Sequence, residues 1–129
     1  PTIKEAVAQV VDCIDVHMTE GGCGWLAAVV KIRKVSEDDG KKAIEAALAG
    51  HRSMKMVTIV DEDIDISNPV RVEWAMVTRW QPDRDTYIFP NQKGSSLDPS
   101  RYEDGLTSKV GFDATIHHSD NPEGYMSVQ

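Results

Sequence analysis

The sequence predicts an α/β fold: a layered sheet with at least partly parallel strands and flanking helices. Segments rich in β-branched residues alternate along the chain with segments whose apolar residues recur at helical spacing. Strands that are joined through helices usually run parallel, because the helix returns the chain to the starting edge of the sheet. The length of 129 residues is typical of one domain, so we expect a single domain over 1–129.

The first fifty residues are predicted to form a helix, a strand and a second helix. Residues 3–11 place apolar side chains at helical spacing, and the glycine-rich segment 20–24 indicates a loop. Residues 25–35 favour a strand. Ser36 is a favourable N-cap, so a helix is expected to follow it and to end with Gly50 as its C-cap.

The next segment is predicted to form a strand, an acidic turn and a helix. Residues 55–60 are a β-branched apolar run, which is typical of a strand buried on both faces. The turn 61–67 follows, and Asn68 is the expected N-cap of a helix that runs through Arg79. The side chains expected to face inward from this helix are Val70, Trp74, Val77 and Trp80.

The remainder is predicted to be a short strand at 86–89, a polar loop at 90–108 and a last strand at 109–114. In open α/β sheets, ligands bind beyond the carboxyl ends of the strands. We expect the turn 61–67 and the loop 90–100 to lie at those ends.

The net charge of −7 disfavours partners with phosphate backbones or anionic lipid surfaces, so neither nucleic acid nor a membrane is expected. The excess of acidic residues lies entirely after residue 60. The cysteines Cys13 and Cys23 are too few for a disulfide framework, which favours free thiols and a cytoplasmic location. The start at Pro1, with neither Met nor a signal peptide, suggests a processed chain or a piece of a longer one.

The acidic turn resembles the first half of a calcium-binding loop, but its second half does not fit. Asp61, Asp63 and Asp65 occupy the first, third and fifth ligand positions. Ile66 and Val72 stand where the loop requires a glycine and a bidentate glutamate. We therefore favour acids that stabilise the following helix N-terminus, and a looser metal site is the weaker alternative.

Histidine and cysteine residues do not form a recognisable zinc or nucleophile motif. Cys13, His17 and Cys23 are irregularly spaced and lack a fourth ligand, and His117 and His118 are far away in sequence. Cys23 with His17 as a base is conceivable, but nothing in the sequence orients the pair.

The aromatic and basic residues near the third helix have two interpretations each. Trp74, Met76 and Trp80 could form an aromatic box for a flavin, but their helical spacing favours core packing. Arg79 and Arg84 could hold an anion or could complement the helix dipole.

Several segments, in order and at workable spacing, carry a family resemblance over about residues 8–115. They are VTIVDEDID at 57–65, VEWAMVTR at 72–79, PDRD at 82–85, LDPS at 97–100 and SKVGFDAT at 108–115. Together they resemble the C-terminal domain of the UbiD family, which includes polyprenyl-hydroxybenzoate carboxy-lyases.

The resemblance implies part of a reversible decarboxylase of aromatic or α,β-unsaturated acids. Such enzymes use prenylated FMN with a divalent metal and potassium, held with the catalytic residues in a preceding split-barrel domain that has no counterpart here. The resemblance therefore implies no catalytic, cofactor-binding or metal-binding residue in this chain, which should be inactive and bind no cofactor alone. The implied partners are the missing N-terminal domain or subunit and further copies of the chain, in a dimer or higher oligomer.

The resemblance also implies that this domain forms one wall of the substrate pocket. The candidate pocket residues are Ser53, Met54, Met56, Ser95, Ser96 and Leu97. Both segments lack the aromatic residues usual in the family, so a bulkier or more polar acid is expected than a small styrene-like one. For two further recurring features we expect structural roles: helix capping for the acidic turn and a Lys109–Asp113 pair that ties the last strand.

Two other functions remain open from the sequence. The chain could be a stand-alone binding or assembly protein that kept the fold without the chemistry. A small independent enzyme that uses Cys23 or the acids of 61–65 is the least favoured.

Overall fold

The computed structural model describes residues 2–117, with side chains from Ile3 onwards. The helices are α1 (Thr2–Ala8), α2 (Asp39–Gly50), α3 (Pro69–Arg79) and α4 (Pro82–Asp85). The strands are β1 (Asp12–Met18), β2 (Ala27–Arg33), β3 (Met56–Asp61), β4 (Thr86–Lys93) and β5 (Leu106–Ala114). A 3₁₀ turn, Glu20–Gly22, lies between β1 and β2.

The strands form one mixed sheet in the order β1-β2-β3-β5-β4. The inner strands β2, β3 and β5 are parallel, and β1 and β4 pair antiparallel at the two outer edges. The predicted fold class is therefore confirmed. We call the edge at which β2, β3 and β5 end the carboxyl edge, and the opposite edge the amino edge.

The sheet is covered differently on its two faces. On one face, α1 and α2 bury the larger core, in which Val30, Ile44 and Ile59 are fully enclosed. On the other face, α3 covers a smaller cluster that includes Val60 and Ala75. Burial of both faces explains the continuous apolar run of β3.

Strand β1 was not predicted, and β4 and β5 are longer than predicted. Residues 12–18 read DCIDVHM, which breaks the apolar pattern because β1 is an edge strand with several exposed positions. Strand β4 continues to Lys93 and β5 begins at Leu106, so the connecting loop is shorter than 90–108.

The predicted helix boundaries need correction at α1 and α2. Helix α1 ends at Ala8, before residue 11. Helix α2 begins at Asp39, whose Oδ2 accepts the N–H groups of Val35 (2.9 Å) and Ser36 (3.0 Å). Gly50 is the last helical residue rather than a C-cap, and a Cβ there would lie 3.2 Å from Ile3 Cα, so glycine permits the close packing of α1 on α2.

Helix α3 packs only partly through the side chains predicted, since Trp74 and Trp80 contact the smaller core but the two valines do not. The cap is confirmed, since Asn68 Oδ1 accepts the N–H of Val70 at 3.0 Å. The inward positions of Val70 and Val77 were wrong, because these side chains are 70% and 74% exposed. The buried positions of α3 are Ala75 and Arg79.

Both outer strands contain an irregularity. The register of β1 against β2 shifts between Cys13 and Asp15. The register of β4 against β5 shifts between Phe89 and Gln92, where Asn91 has a φ of +59°. Such bulges twist and interrupt an edge strand.

Within the described residues, none of the helices is both long enough and apolar enough to span a membrane.

Candidate functional site

The acidic turn after β3 holds a buried arginine from the end of α3. Arg79 Nη1 donates to Asp61 Oδ2 at 3.0 Å and to Asp63 Oδ1 at 2.9 Å, and Nη2 donates to Asp63 Oδ2 at 2.8 Å. The Arg79 side chain is fully buried, and Asp61 Oδ2 also accepts the N–H of Ile116 at 2.9 Å. Burial raises the pKa of Asp61, although the hydrogen bond from Ile116 and the charge of Arg79 both act to lower it.

These contacts correct the expected role of the acidic turn. Asp61 and Asp63 bind Arg79 rather than cap α3, and the cap is supplied by Asn68. Asp65 accepts the N–H and the hydroxyl of Ser67, which closes a local turn. The arginine that pairs with the acids was proposed from sequence only as an anion site or a dipole complement.

A second polar cluster lies at the carboxyl edge. His117 Nε2 lies 2.8 Å from Asp85 Oδ1, and its Nδ1 contacts Glu37 Oε1. Asp85 also accepts two hydrogen bonds from Arg84 and one from the N–H of Gln81. Burial opposes ionisation of Asp85, but these hydrogen bonds lower its pKa overall.

One set of side chains at this edge has the atoms that a divalent cation would accept. Asp85, Asp113 and His117 offer oxygen and nitrogen ligands that lie within 4.8 Å of one another. A cation would have to replace the His117–Asp85 hydrogen bond and compete with Arg84. As the structure stands, the cluster ties α4 to the residues that follow β5.

The other predicted metal and nucleophile candidates lie apart. Within residues 2–117, no cluster of three potential ligands includes Cys13, His17 or Cys23. Burial raises the pKa of the Cys13 thiol, whereas Cys23 is exposed in a turn with a φ of +53°. His118 lies outside the described residues.

At the amino edge, a polar groove of about 320 Å³ is lined by Arg52, Ser53, Lys93, Gly94, Ser95 and Ser96. We call it the amino-edge groove. It lies where β3 begins and β4 ends, because β4 runs antiparallel to its neighbour β5. The loop 90–100 therefore lies at the edge opposite the 61–67 turn, and the expectation that both lie at the carboxyl ends was wrong.

The six predicted pocket residues are distributed over four environments. Ser53, Ser95 and Ser96 line the amino-edge groove. Met54 is fully buried in the larger core. Met56, 43% exposed, lines a separate hollow beside the 3₁₀ turn, and Leu97 is 46% exposed.

One ion pair and one hydrogen bond from a lysine to a backbone carbonyl hold the segments that line the amino-edge groove. Lys55 Nζ donates to Asp98 Oδ2 at 2.7 Å and to Ser100 Oγ at 2.8 Å, which ties the turn after Ser96 to β3. The Lys55 hydrogen bond is the main cause that lowers the pKa of Asp98 to about 2. Lys109 Nζ donates to the carbonyl of Arg52 at 2.9 Å.

The predicted Lys109–Asp113 pair was wrong. Residues four apart on a strand are separated by roughly 13 Å, so their charged ends do not meet. Asp113 Oδ1 instead accepts the N–H and the hydroxyl of Thr115, and burial raises the pKa of the Asp113 carboxyl.

A third, apolar groove of about 610 Å³ lies beside α3. Its lining includes Val72, Met76, Val77 and Trp80. Trp74, Met76 and Trp80 are half-buried and pack against the smaller core, as favoured from sequence. Trp80 also meets Phe112 edge-on, with 5.6 Å between ring centroids.

Comparison with known proteins decides the family. Residues 1–114 match the family described as 3-octaprenyl-4-hydroxybenzoate carboxy-lyase C-terminal domain. The chain belongs to the UbiD family. The expectation from the sequence motifs is thereby confirmed.

Individual relatives extend this result. The chain is 52% identical over 116 residues to anhydromevalonate phosphate decarboxylase of Methanothermobacter thermautotrophicus, covering 89% of this chain and 27% of that protein. It superposes on the UbiD-class enzyme HmfF from Pelotomaculum thermopropionicum, in complex with FMN, with a TM-score of 0.93 and 38% identity, over 99% of this chain and 29% of that one. An evolved dimeric form of HmfF, in complex with prFMN, superposes with a TM-score of 0.78 and 34% identity. That match covers 98% of this chain and 26% of the HmfF chain. The chain thus spans little more than a quarter of the length of these UbiD relatives.

Residues that sequence reasoning missed include both cations of the amino-edge groove. Arg52 and Lys93 flank the serines that the UbiD resemblance pointed to. A signal was available: Lys93 directly precedes Gly94-Ser95-Ser96, a run rich in hydrogen-bond donors.

Proposed function

We propose that the chain is the C-terminal domain, or a separate subunit, of a prenylated-FMN-dependent decarboxylase whose acid substrate bears a phosphate group. The observation that carries this proposal is the 52% identity to an anhydromevalonate phosphate decarboxylase. The polar lining of the amino-edge groove also favours a more polar acid over an aromatic one. The aromatic acid named for the family is the competing substrate class.

In this proposal the domain supplies one wall of the substrate pocket at its amino edge. The three serines that line the groove belong to the segments expected to face substrate. Helix α1 packs against the end of α2, where Ile3 approaches Gly50, two residues before Arg52. A domain joined ahead of α1 would therefore enter beside the groove.

Neither the apolar groove beside α3 nor the amino-edge groove has a lining that fits a complete flavin cofactor. The apolar groove beside α3 is lined by no lysine or arginine that could neutralise a flavin phosphate. The amino-edge groove has two cations, but its lining includes no aromatic or aliphatic side chain to cover an isoalloxazine ring. We therefore assign the cofactor, its metal and potassium to the rest of the enzyme, and expect the isolated chain to be inactive.

The test is reconstitution with the flavin-binding part of the enzyme, whether joined to this chain or as a second subunit. The complex should release CO₂ from anhydromevalonate phosphate faster than from 4-hydroxybenzoate, and the chain alone should release none and retain no flavin after gel filtration. Preference for the aromatic acid would contradict the substrate class. Flavin retained by the chain alone would contradict the division of roles.

We also propose that copies of the chain associate. Val70 and Val77 on α3 are largely exposed, and Val77 lines the apolar groove of about 610 Å³. Exposed apolar patches of this kind mark interaction surfaces. Light scattering at micromolar concentration should give a dimer or a higher oligomer, and a monomer would contradict this part of the proposal.

A further inference from the structure

The amino-edge groove is a local concentration of positive charge on an acidic chain. The net charge is −7, yet both Arg52 and Lys93 line the groove, and no carboxylate contributes to its lining among the described residues. Within residues 2–117, neither side chain forms an ion pair or a side-chain hydrogen bond. The groove therefore offers two cations that no neighbouring acid neutralises.

The groove also offers hydroxyl donors. Ser53, Ser95 and Ser96 line it together with Gly94. The Ser95 hydroxyl oxygen accepts the N–H of Leu97 at 3.1 Å, which leaves its own hydrogen available to donate. Two cations with several hydroxyl donors form the usual set that recognises a phosphate monoester.

The scaffold around these donors is fixed by buried or half-buried ions. The Lys55–Asp98 pair at 2.7 Å holds the turn that follows Ser96, and Lys109 holds the backbone carbonyl of Arg52 at 2.9 Å. Both lysines are committed to structural contacts, whereas Arg52 and Lys93 are exposed. A site whose walls are fixed in advance loses less entropy when a ligand binds.

We infer that the amino-edge groove binds the phosphate group of the substrate, with Arg52 and Lys93 as the two charge partners and Ser53, Ser95 and Ser96 as hydroxyl donors. This inference rests on the proposed function, because it requires a phosphorylated acid. The volume of about 320 Å³ is large enough for a phosphate and part of its carbon chain. In this arrangement the phosphate sets substrate specificity, and the decarboxylating chemistry takes place in the rest of the enzyme.

The experiment uses the reconstituted enzyme and two substrates, anhydromevalonate phosphate and its dephosphorylated counterpart. Arg52→Gln and Lys93→Gln should each lower kcat/KM for the phosphorylated acid by about 10- to 100-fold, mainly through KM, since each removes a charged hydrogen bond. Activity on the dephosphorylated acid should change less than about threefold. Arg52→Lys should restore part of the loss, because it restores the charge without the planar donor pair.

A matched control and a second measurement separate the possible failures. Lys42→Gln removes the same charge from α2, where Lys42 pairs with Asp38 at 3.6 Å, and should leave activity on both substrates unchanged. Inorganic phosphate should inhibit the wild-type enzyme competitively, and the Arg52→Gln/Lys93→Gln double variant should lose that inhibition.

Three outcomes would overturn the inference. If the variants lose bound flavin, the groove holds the cofactor's phosphate instead of the substrate's. If the variants keep their preference for the phosphorylated acid, the phosphate lies elsewhere while the proposed function stands. If the wild-type enzyme decarboxylates no phosphorylated acid, the proposed function itself fails.

Discussion

Replacing Arg79 by methionine should be among the most damaging single changes in this domain. The substitution keeps the length of the side chain and removes a guanidinium that is fully buried. It abolishes at least the three hydrogen bonds of 2.8 to 3.0 Å that the guanidinium donates to Asp61 and Asp63. Removing one partner of a buried ion pair costs about 3–5 kcal/mol of unfolding free energy. The carboxylates retain 16% and 31% exposure, so we expect about 3 kcal/mol, at the low end of the range.

The effect should depend on pH in a defined direction. Burial already raises the pKa of Asp61, and Arg79 opposes that rise. Without Arg79 the folded pKa rises further above the unfolded value. A group of this kind favours the folded state below the unfolded pKa and loses that contribution as pH rises through the folded pKa. The stability difference between wild type and Arg79→Met should therefore be smaller near pH 5 than near pH 7.

Urea unfolding followed by circular dichroism at both pH values measures this difference. Arg33→Met is the matched control, because Arg33 makes a similar contact with Asp12 at 2.8 Å on the exposed surface and should change stability little. The reasoning would be refuted if Arg79→Met were no more destabilising than Arg33→Met, or if its effect did not change with pH.

Two further predictions concern the amino edge and the core. Lys55→Met should raise the pKa of Asp98 from about 2 towards its ordinary value, as followed by carbon NMR, because the Lys55 hydrogen bond is the main cause of the low value. The stability that the Lys55–Asp98 pair supplies is present above about pH 4 and is lost as pH falls towards 2. If Lys55→Met lost stability between about pH 4 and pH 2 to the same extent as the wild type, this prediction would be wrong. Gly111→Ala should lower the free energy of unfolding by about 1–3 kcal/mol, as measured by urea unfolding, since the new Cβ would lie 2.2 Å from Ile44 Cγ2. The Gly111→Ala/Ile44→Ala double variant should lose less unfolding free energy than the sum of the two single losses. Full additivity would show that the contact with Ile44 does not cause the destabilisation.

The inner part of the fold could be predicted because local pattern and burial agree there. Residues 57–60 of β3 are all β-branched and buried, which is typical of a strand that is covered on both faces. Strand β1 could not be predicted in the same way. As an edge strand it places two acidic side chains, Asp12 and Asp15, at exposed positions, so its sequence alone lacks the apolar signal.

The site was less accessible from sequence, for reasons of geometry. Val70 and Val77 were predicted to face inward but are exposed. The buried face of α3 instead contains Arg79, a charged residue at a position where a helical pattern leads one to expect an apolar one. Contacts such as Asp85 with His117 join residues 32 apart, which no local spacing indicates. The serines of the amino-edge groove were found through the family resemblance, and their cationic neighbours only through the fold.

The irregular outer strands restrict how this domain can join other chains. An edge strand with unpaired backbone groups can recruit another strand and extend the sheet. Here β1 shifts its register after Cys13, and β4 shifts across Asn91 directly after Pro90, which has no N–H to donate. Extension of the sheet through either edge is therefore disfavoured, and we expect the association proposed above to proceed through side chains on the faces of the domain. Its backbone hydrogen-bond pattern, and hence the amide exchange of the outer strands, should be the same alone and in the assembly.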